Sequence, residues 1–188
     1  MDTIPFLAPI ENPKGLLLKI IYYFTKKRFG KVITSVKIQS GRLPLAFLSW
    51  YGKMYQLDKK LSLPRETVLL VRQQVSRINV CEFCMDAGRF KLIQEKYNQD
   101  KFDALSTYDR SSLFSKAEKS MLDYVTELTK TKHVSRYTFD KLSKWYSERQ
   151  ICEIVHLVAS EHASNIGNIA LNIHSDMLCD LSKKNNNT

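Results

Sequence analysis

One stretch of this chain holds two of its four cysteines: Val75-Ser76-Arg77-Ile78-Asn79-Val80-Cys81-Glu82-Phe83-Cys84. On a helix, positions i and i+3 share one face, so the thiols of Cys81 and Cys84 can meet and form a short-loop disulfide. Such a pair opens and closes easily, which suits redox turnover better than it suits stabilising a fold. The stretch therefore predicts a redox site at the start of a helix.

Length and composition indicate an ordinary single domain. With 188 residues, 44% of them hydrophobic and 26% charged, the chain can bury its own core without metals or a disulfide scaffold. The first residues lack a basic start followed by an apolar run, and the longest apolar stretch, Leu16 to Phe24, is interrupted by Lys19 and is too short to cross a bilayer. We expect a cytoplasmic protein without a membrane span, where a cysteine pair is more often catalytic or metal-bound than structural.

The formal net charge of +10 raises the question of an acidic partner, because eight of the basic residues lie between positions 14 and 42. The chain has no basic repeats interleaved with glycine or aromatic residues. Residues 148–174 only loosely evoke a helix-turn-helix, since 159–165 contain neither Gly nor Pro to make the turn. We therefore expect a solvated basic surface and no nucleic-acid partner.

Nearly every segment predicts helix, because glycine and proline are scarce and no sustained alternation of apolar and polar residues indicates strands. The fold class is therefore predicted as all-α. Helices are expected from an Asn12-Pro13 start to Gly30, from Pro44 to Leu57, from a cap at Ser62, and from the cysteine pair to Tyr97. After a polar connection over 98–115 with short helical turns, further caps are expected at Ser115, Ser135 and Ser147.

The last long helix has an apolar stripe, which consists of Ile151, Val155, Val158, His162 and Ile166. On this pattern His162 points inward, and Gly167 marks a kink or a close contact. Three parts are predicted along the chain: a basic helical extension over 1–42, a main domain with the cysteine pair over 43–182, and a disordered tail over 183–188. The aromatic residues Phe47, Trp50, Tyr51 and Tyr55 are expected in the core or at a subunit interface.

Several segments in order resemble the carboxymuconolactone decarboxylase / alkyl hydroperoxidase D (AhpD-like) family. They are Leu63-Pro64-Arg65-Glu66, the cysteine stretch quoted above, Phe114-Ser115-Lys116-Ala117-Glu118, Lys132-His133-Val134-Ser135 with Phe139, and Tyr146-Ser147-Glu148-Arg149-Gln150-Ile151. The resemblance covers roughly Leu43 to Ile173. The cysteine pair alone is of moderate specificity, and the ordered series makes the resemblance stronger.

This resemblance implies an all-α, AhpD-like helical domain that assembles as a homo-oligomer, a trimer or a hexamer. Members with the cysteine pair act as peroxidases or disulfide reductases in antioxidant defence. In them the second cysteine, here Cys84, attacks the peroxide, and the first, here Cys81, closes the disulfide. An external dithiol, such as a lipoyl protein, a thioredoxin-like protein or glutathione, would reopen it, and no cofactor or metal is implied.

The chain departs from the family pattern at two positions. Family peroxidases carry a glutamate twelve residues before the first cysteine and a histidine four residues after the second, where this chain has Leu69 and Gly88. Neither residue can transfer a proton. The candidate replacements are Glu66, one helical turn before position 69, then His162 on the last helix, and Asp86 beside the second cysteine.

Two other interpretations stay open at this point. A zinc site needs four ligands, and Cys152 with His156, four apart on one helix, could join Cys81 and Cys84. The second interpretation is a non-catalytic or differently active member of the family, since the usual glutamate and histidine are missing.

Overall fold

The computed structural model describes residues 3–180, apart from the side chain of Tyr55. The predicted tail, Lys183 to Thr188, lies outside these residues. Over the described range all the regular secondary structure is helical and no strand occurs. The predicted all-α class is therefore confirmed.

The helices follow one another with short connections. They are α1 (Leu16–Phe29), α2 (Pro44–Phe47), α3 (Lys53–Asp58), α4 (Arg65–Ile78), α5 (Glu82–Gln94), α6 (Gln99–Asp103), α7 (Lys116–Thr131), α8 (Arg136–Ser143) and α9 (Glu148–Ile169). A π-helical turn, Val36–Ser40, precedes α2, and a second one, Leu48–Gly52, joins α2 to α3. A 3₁₀ turn, Ala104–Thr107, follows α6.

The three predicted serine caps in the second half of the chain are confirmed. Ser115 and Ser147 each form a capping box, in which the serine hydroxyl accepts from the backbone of the third helical residue and that residue's side chain accepts from the serine N–H. Ser135 caps α8 by accepting from the Thr138 N–H. Gly30 ends α1 in the left-handed conformation, with φ of 77°, as a glycine at this position favours.

Two predicted helix starts are wrong. The first helix does not begin at Asn12-Pro13; it begins at Leu16, after Gly15 with φ of 84°. The third does not begin at Ser62 but at Arg65, because the Ser62 N–H and hydroxyl both donate to the carboxylate of Glu153 on α9. Ser62 therefore ties the segment before α4 to α9 instead of capping α4.

Helices α4, α7 and α9 pack against one another and form the main core, a buried apolar cluster that α5, α6 and α8 complete. Its α4 and α7 members recur at helical spacing, and Val68, Val75, Met121, Leu122 and Val125 are fully or almost fully buried. Apolar residues at helical spacing account for this packing directly.

The buried face of α9 agrees with the predicted stripe only in part. Ile151 and Val158 are buried as predicted, but Val155 is 40% exposed and Ile166 is 63% exposed, while Ile154 and Leu157 are buried in their place. Farther along the same buried face lie Glu161, Asn165 and Asn168. The apolar pattern missed this face because its second half is polar.

A second buried cluster contains the two cysteines and is called the cysteine cluster below. It combines three distant parts of the chain. Its members are Leu18, Ile21, Tyr22, Ile33, Val36, Ile38, Cys81, Phe83, Cys84, Phe90, Ile173 and Leu178. Residues from the predicted extension over 1–42 thus belong to the same buried cluster as the cysteines.

No helix within residues 3–180 is long and apolar enough to cross a membrane.

Candidate active site

Cys81 and Cys84 are joined by a disulfide, and their Cα atoms are 5.3 Å apart. Cys81 is the N-cap residue of α5 and Cys84 is its third helical residue, so both lie in the first turn. Cys81 is 1% exposed and Cys84 is 7% exposed. The predicted position of the pair, at a helix start and within bonding distance, is therefore present in the structure.

Cys84 borders a cavity of about 220 Å³, whereas Cys81 is not part of its wall. Part of the wall is apolar and comes from α1, α5 and the turns before α3, with Phe29, Val36, Phe47 and Phe83 among its residues. A volume below the roughly 300–1,000 Å³ of drug-sized sites suits a small molecule. Cys84 is therefore little exposed on the protein surface, but it borders a cavity that a small molecule could enter.

Asn168 on α9 contacts Cys84 directly. Its side-chain Nδ2 lies 3.5 Å from Cys84 Sγ and also donates to the Ser164 carbonyl at 3.0 Å. Gln39 donates to Asn168 Oδ1 at 3.0 Å, and a Cβ on Gly167 would come within 2.9 Å of Gln39 Oε1. These partners orient the amide so that an N–H faces the sulfur, and the close contact predicted at Gly167 is with Gln39.

The positions of the two missing family residues are filled. Leu69 is buried and lines the cavity. A Cβ on Gly88 would overlap the amide nitrogen of Gln73, which lies 3.4 Å from the Cys84 carbonyl oxygen. The Gln73 amide therefore occupies the space that a side chain at position 88 would need.

A buried charged group lies on another side of the cavity. Arg72 on α4 donates to Glu161 Oε2 and to both oxygens of Asp58, each at 2.9 Å. Glu161 Oε1 also accepts from Ser76 at 2.7 Å and from Asn165 at 3.0 Å. Arg72, Asp58 and Glu161 all line the cavity, so ionised groups face its interior.

The structure does not bring Glu66 to the cysteines. Its carboxylate pairs with Lys101 at 3.0 Å, and Lys101 also pairs with Glu118 at 2.7 Å. Glu66 is also absent from the residues that line the cavity. No contact of Glu66 within the described residues supports a role in activating Cys84.

Asp86 and His162 also have other contacts. Asp86 accepts from the backbone N–H groups of Asp176, Leu178 and Cys179, so it holds the segment after α9 against α5. His162 does not point into the core. It is half-buried, with Nδ1 3.0 Å from the Asn79 amide, and burial, followed by the charge of Lys132, lowers its pKa.

The aromatic residues before α3 are divided between cavity and surface. Phe47 and Tyr51 stack with ring centroids 5.0 Å apart and line the cavity, whereas Trp50 is about half exposed. Phe47 also packs against the cysteine cluster, in agreement with the expected core position, and the interface role stays a prediction. Burial raises the pKa of Tyr51, and the nearby Glu161 charge adds to this, so its hydroxyl is neutral at physiological pH.

The residues needed for the zinc interpretation are separated. Cys152 is exposed on α9, and Cys81 is bonded to Cys84. Within the part of the chain that the structure describes, no group of three or more His, Cys, Asp or Glu side chains could hold a metal ion.

Comparison with known proteins supports the same architecture. No family profile matches the chain. The uncharacterised protein YnjA of Escherichia coli K12 is 25% identical over 172 residues, which cover 90% of this chain and 93% of YnjA. A peroxidase-related protein with an AhpD core from Ralstonia eutropha superposes with a TM-score of 0.74 at 18% identity, over 92% of this chain and 96% of its own.

This chain has the AhpD-like fold. A peroxidase-related protein from Silicibacter agrees, with a TM-score of 0.76 at 17% identity over 89% of each chain. The debrominase Bmp8, as a cysteine-to-alanine variant in complex with 2,3,4-tribromopyrrole, superposes with a TM-score of 0.80 at 16% identity. The Bmp8 match covers 97% of this chain and 99% of that one. The predicted division at residue 42 stays a prediction, although residues on both sides of it line one cavity.

Proposed function

We propose that this protein is a cytoplasmic, thiol-dependent oxidoreductase of the AhpD-like family that reduces peroxides or disulfides in antioxidant defence. The observation that carries the proposal is the position of the disulfide, with Cys84 on the cavity wall and Cys81 behind it. An attacking thiol must meet the substrate, whereas a resolving thiol must only reach the first one. The geometry therefore favours Cys84 as the nucleophile and Cys81 as the resolving residue.

The reaction would proceed in two steps from the reduced pair. The Cys84 thiolate attacks the outer oxygen of a hydroperoxide; the S–O bond forms, the O–O bond breaks, and the alcohol leaves after taking up a proton. The Cys81 thiol then attacks the resulting sulfenic acid, so that the S–S bond forms and water leaves. An external thiol reductant, either a dithiol such as a lipoyl group or a thioredoxin-like protein, or two molecules of glutathione, supplies two electrons and two protons to reopen the disulfide and is itself oxidised to a disulfide.

Activation of Cys84 would come from two groups in place of the usual relay. The first turn of α5 directs its unpaired backbone N–H groups and its positive dipole end toward negative charge. The Asn168 amide adds a hydrogen-bond donor to the sulfur. Both stabilise a thiolate relative to a thiol.

Assembly as a trimer or a hexamer belongs to the same proposal. Large apolar side chains stay exposed on α1 and near α2, among them Leu16, Tyr23, Phe24, Leu45 and Trp50. Isolated exposed apolar residues are ordinary, but a group of this kind marks an interaction surface. Sedimentation analysis of the purified chain tests the assembly, and a monomer at micromolar concentration would contradict it.

The decisive experiment follows consumption of cumene hydroperoxide with dihydrolipoamide as the reductant. Cys84→Ser should abolish consumption, and Cys81→Ser should stop turnover yet still consume one peroxide per chain, leaving a sulfenic acid that dimedone traps. Cys152→Ser is the matched control, since Cys152 is exposed and outside the cavity wall. Equal rates of peroxide consumption in all three variants and the unchanged protein would contradict the proposed reaction. They would favour a non-catalytic member of the AhpD-like family.

The Bmp8 likeness and the partly aromatic cavity wall favour a second candidate, reductive dehalogenation of an aromatic compound. The two thiols would become a disulfide while a carbon–bromine bond is replaced by carbon–hydrogen, with release of bromide and one proton. Bromide release from a polybrominated pyrrole, dependent on Cys84 and exceeding peroxide consumption, would place this activity first.

A further inference from the structure

Lys91 is a charged residue of the cavity wall that the proposed reaction does not use. It lies on α5 seven residues after Cys84, so both residues are on one face of the helix, about 10 Å apart along its axis. Helical side chains lean toward the N-terminus of their helix. Lys91 and Cys84 line the same cavity, and this lean favours an ammonium position on the Cys84 side of Lys91.

The ammonium group of Lys91 lacks the compensation that Arg72 has on the same wall. Arg72 is paired with two carboxylates, those of Asp58 and Glu161. For Lys91, no carboxylate among residues 3–180 is within ion-pair distance. A partly buried cation without a counter-ion is costly, and an anion bound beside it would remove this cost.

The charges that face Lys91 come from four elements. Arg28 lies on α1, Arg65 and Arg72 lie on α4, Asp58 ends α3, and Glu161 lies on α9. Burial first, and then Arg28 and Arg72, lower the pKa of Lys91 to about 8, while Glu161 acts in the opposite direction. The cavity wall carries three cations, Arg28, Arg72 and Lys91, and two anions, a surplus of one positive charge.

We propose that the cavity selects small aromatic compounds that carry one carboxylate, and that Lys91 binds this carboxylate while the ring lies among Phe29, Phe47 and Phe83. This inference rests on the proposed function, because it names the substrate class of the same site. One anionic group would neutralise the surplus charge of the wall, and about 220 Å³ limits the rest of the molecule to a small apolar body. Substrates of the reaction would then be acidic aryl hydroperoxides or disulfides in preference to neutral ones.

Binding to the oxidised protein tests this inference without any turnover. The probes are 4-isopropylbenzoate and its neutral counterpart 4-isopropylbenzamide, titrated by calorimetry at pH 7. The unchanged protein should bind the benzoate at least about tenfold more tightly, because a charge-assisted hydrogen bond forms only with the carboxylate. Equal affinity for the two probes, or no binding of either, would overturn the proposal.

Three variants assign the preference to Lys91. Lys91→Gln should weaken benzoate binding about tenfold to a hundredfold and leave the benzamide affinity unchanged. Lys91→Arg keeps the charge and should retain the preference, which also covers the case in which the glutamine variant fails to fold. Lys144→Gln is the matched control, since Lys144 is exposed at the end of α8 and outside the cavity wall. Equal weakening of both probes by Lys91→Gln would show a structural role only.

The pH dependence gives an independent readout. Protonated Lys91 binds the carboxylate, so benzoate affinity should fall as the pH rises through about 8 and should be flat in Lys91→Gln. If the protein consumes peroxide but shows no preference for the benzoate, the proposed function stands and the proposed substrate class is rejected. If the protein prefers the benzoate but consumes no peroxide, the proposed carboxylate site stands and the proposed reaction is rejected.

Discussion

The two apolar clusters of this protein differ in how the chain builds them. The main core comes from α4 to α9, contiguous in sequence, and its members are apolar residues at helical spacing. The cysteine cluster combines α1 and the turn after it with α5 and with Ile173 and Leu178 beyond α9. Stability is therefore expected mainly from the first cluster, and chemistry only from the second.

Polar residues join the two clusters. Arg72 leaves α4, which belongs to the main core, to reach Asp58 before it and Glu161 on α9. Asn168 extends the same face of α9 to Cys84. The difference teaches that buried polar residues lie where the stable scaffold of this protein meets the proposed reaction site.

The largest effect is expected from Arg72→Met. It leaves Asp58 and Glu161 as neighbouring buried carboxylates without a partner, which should cost about 3–5 kcal/mol of unfolding free energy. Denaturant unfolding at neutral pH measures this. Arg136→Met is the control, since its pair with Asp140 is exposed and contributes about 0–1 kcal/mol. Similar losses in both variants would mean that the two clusters are not coupled through Arg72.

Matched truncations in each cluster come next. Leu157→Ala in the main core and Ile38→Ala in the cysteine cluster each empty a fully buried site and should each cost about 2–5 kcal/mol. Only Ile38→Ala should change the rate at which iodoacetamide alkylates reduced Cys84, because neighbouring Gln39 orients Asn168. A changed alkylation rate in Leu157→Ala would show that the site depends equally on both clusters.

Much of the main core could be predicted from sequence because hydrophobic spacing indicates the buried apolar residues of α4 and α7, although α4 also buries Arg72 and Gln74, which the spacing does not reveal. The caps at Ser115, Ser135 and Ser147 were also predictable, since they depend on side chains three residues apart. The prediction that Ser62 caps a helix was wrong because the hydrogen-bond partner of Ser62, Glu153, is 91 residues away in the sequence. Local patterns carry no information on such contacts.

The site was predictable only as far as the cysteine pair. Asn168 and Glu161 lie on the buried face of α9 with Asn165, and their 161, 165, 168 spacing was a signal for inward-facing polar residues. The sequence analysis defined the buried face of α9 by its apolar residues alone, and it therefore predicted His162 as the inward-facing polar residue. The wall formed by Phe29, Val36 and Phe47 depends on how α1 and α2 fold back over α5, which no local pattern specifies.

Glu153→Gln tests whether a polar anchor of the main core affects the site. Burial alone would raise the pKa of Glu153, but hydrogen bonds from Ser62, Arg149 and Leu63 outweigh it and lower the pKa below 4.5. Because the pKa of this carboxyl group is lower in the folded protein than in the unfolded chain, its ionisation stabilises the fold at pH values above the unfolded-state pKa. This stability is lost as the pH falls through the folded-state pKa. The variant should therefore lose about 1–3 kcal/mol at pH 7, and less as the pH drops below 4.5.

The measurement for this anchor is denaturant unfolding at several pH values, together with the alkylation rate of Cys84, which should not change. Glu148→Gln, exposed at the start of the same helix, is the control and should cost less than about 1 kcal/mol. A pH-independent loss would contradict the assignment of the anchor to the ionised carboxylate.

The smallest effect on stability is expected from Gly88→Ala. Its methyl group displaces the Gln73 amide, the flexible end of a side chain, and alanine favours the helix by about 1 kcal/mol, so the two contributions nearly cancel. The displaced Gln73 amide narrows the cavity beside Cys84, so the KM for cumene hydroperoxide should rise. The rate of alkylation of Cys84 by the smaller iodoacetamide should stay constant. Gly52→Ala is the control, because a Cβ there meets no atom within 4 Å.

A double variant then asks whether this site has replaced the family relay or merely lost it. Gln73→Ala clears the space beside position 88, and Gly88→His places an imidazole one turn after Cys84. If the first turn of α5 and the Asn168 amide already provide the activation that Cys84 needs, the added base should leave turnover at pH 7 unchanged or lower it. A large gain in turnover would show instead that the cysteine cluster keeps a working geometry in which only proton transfer is missing.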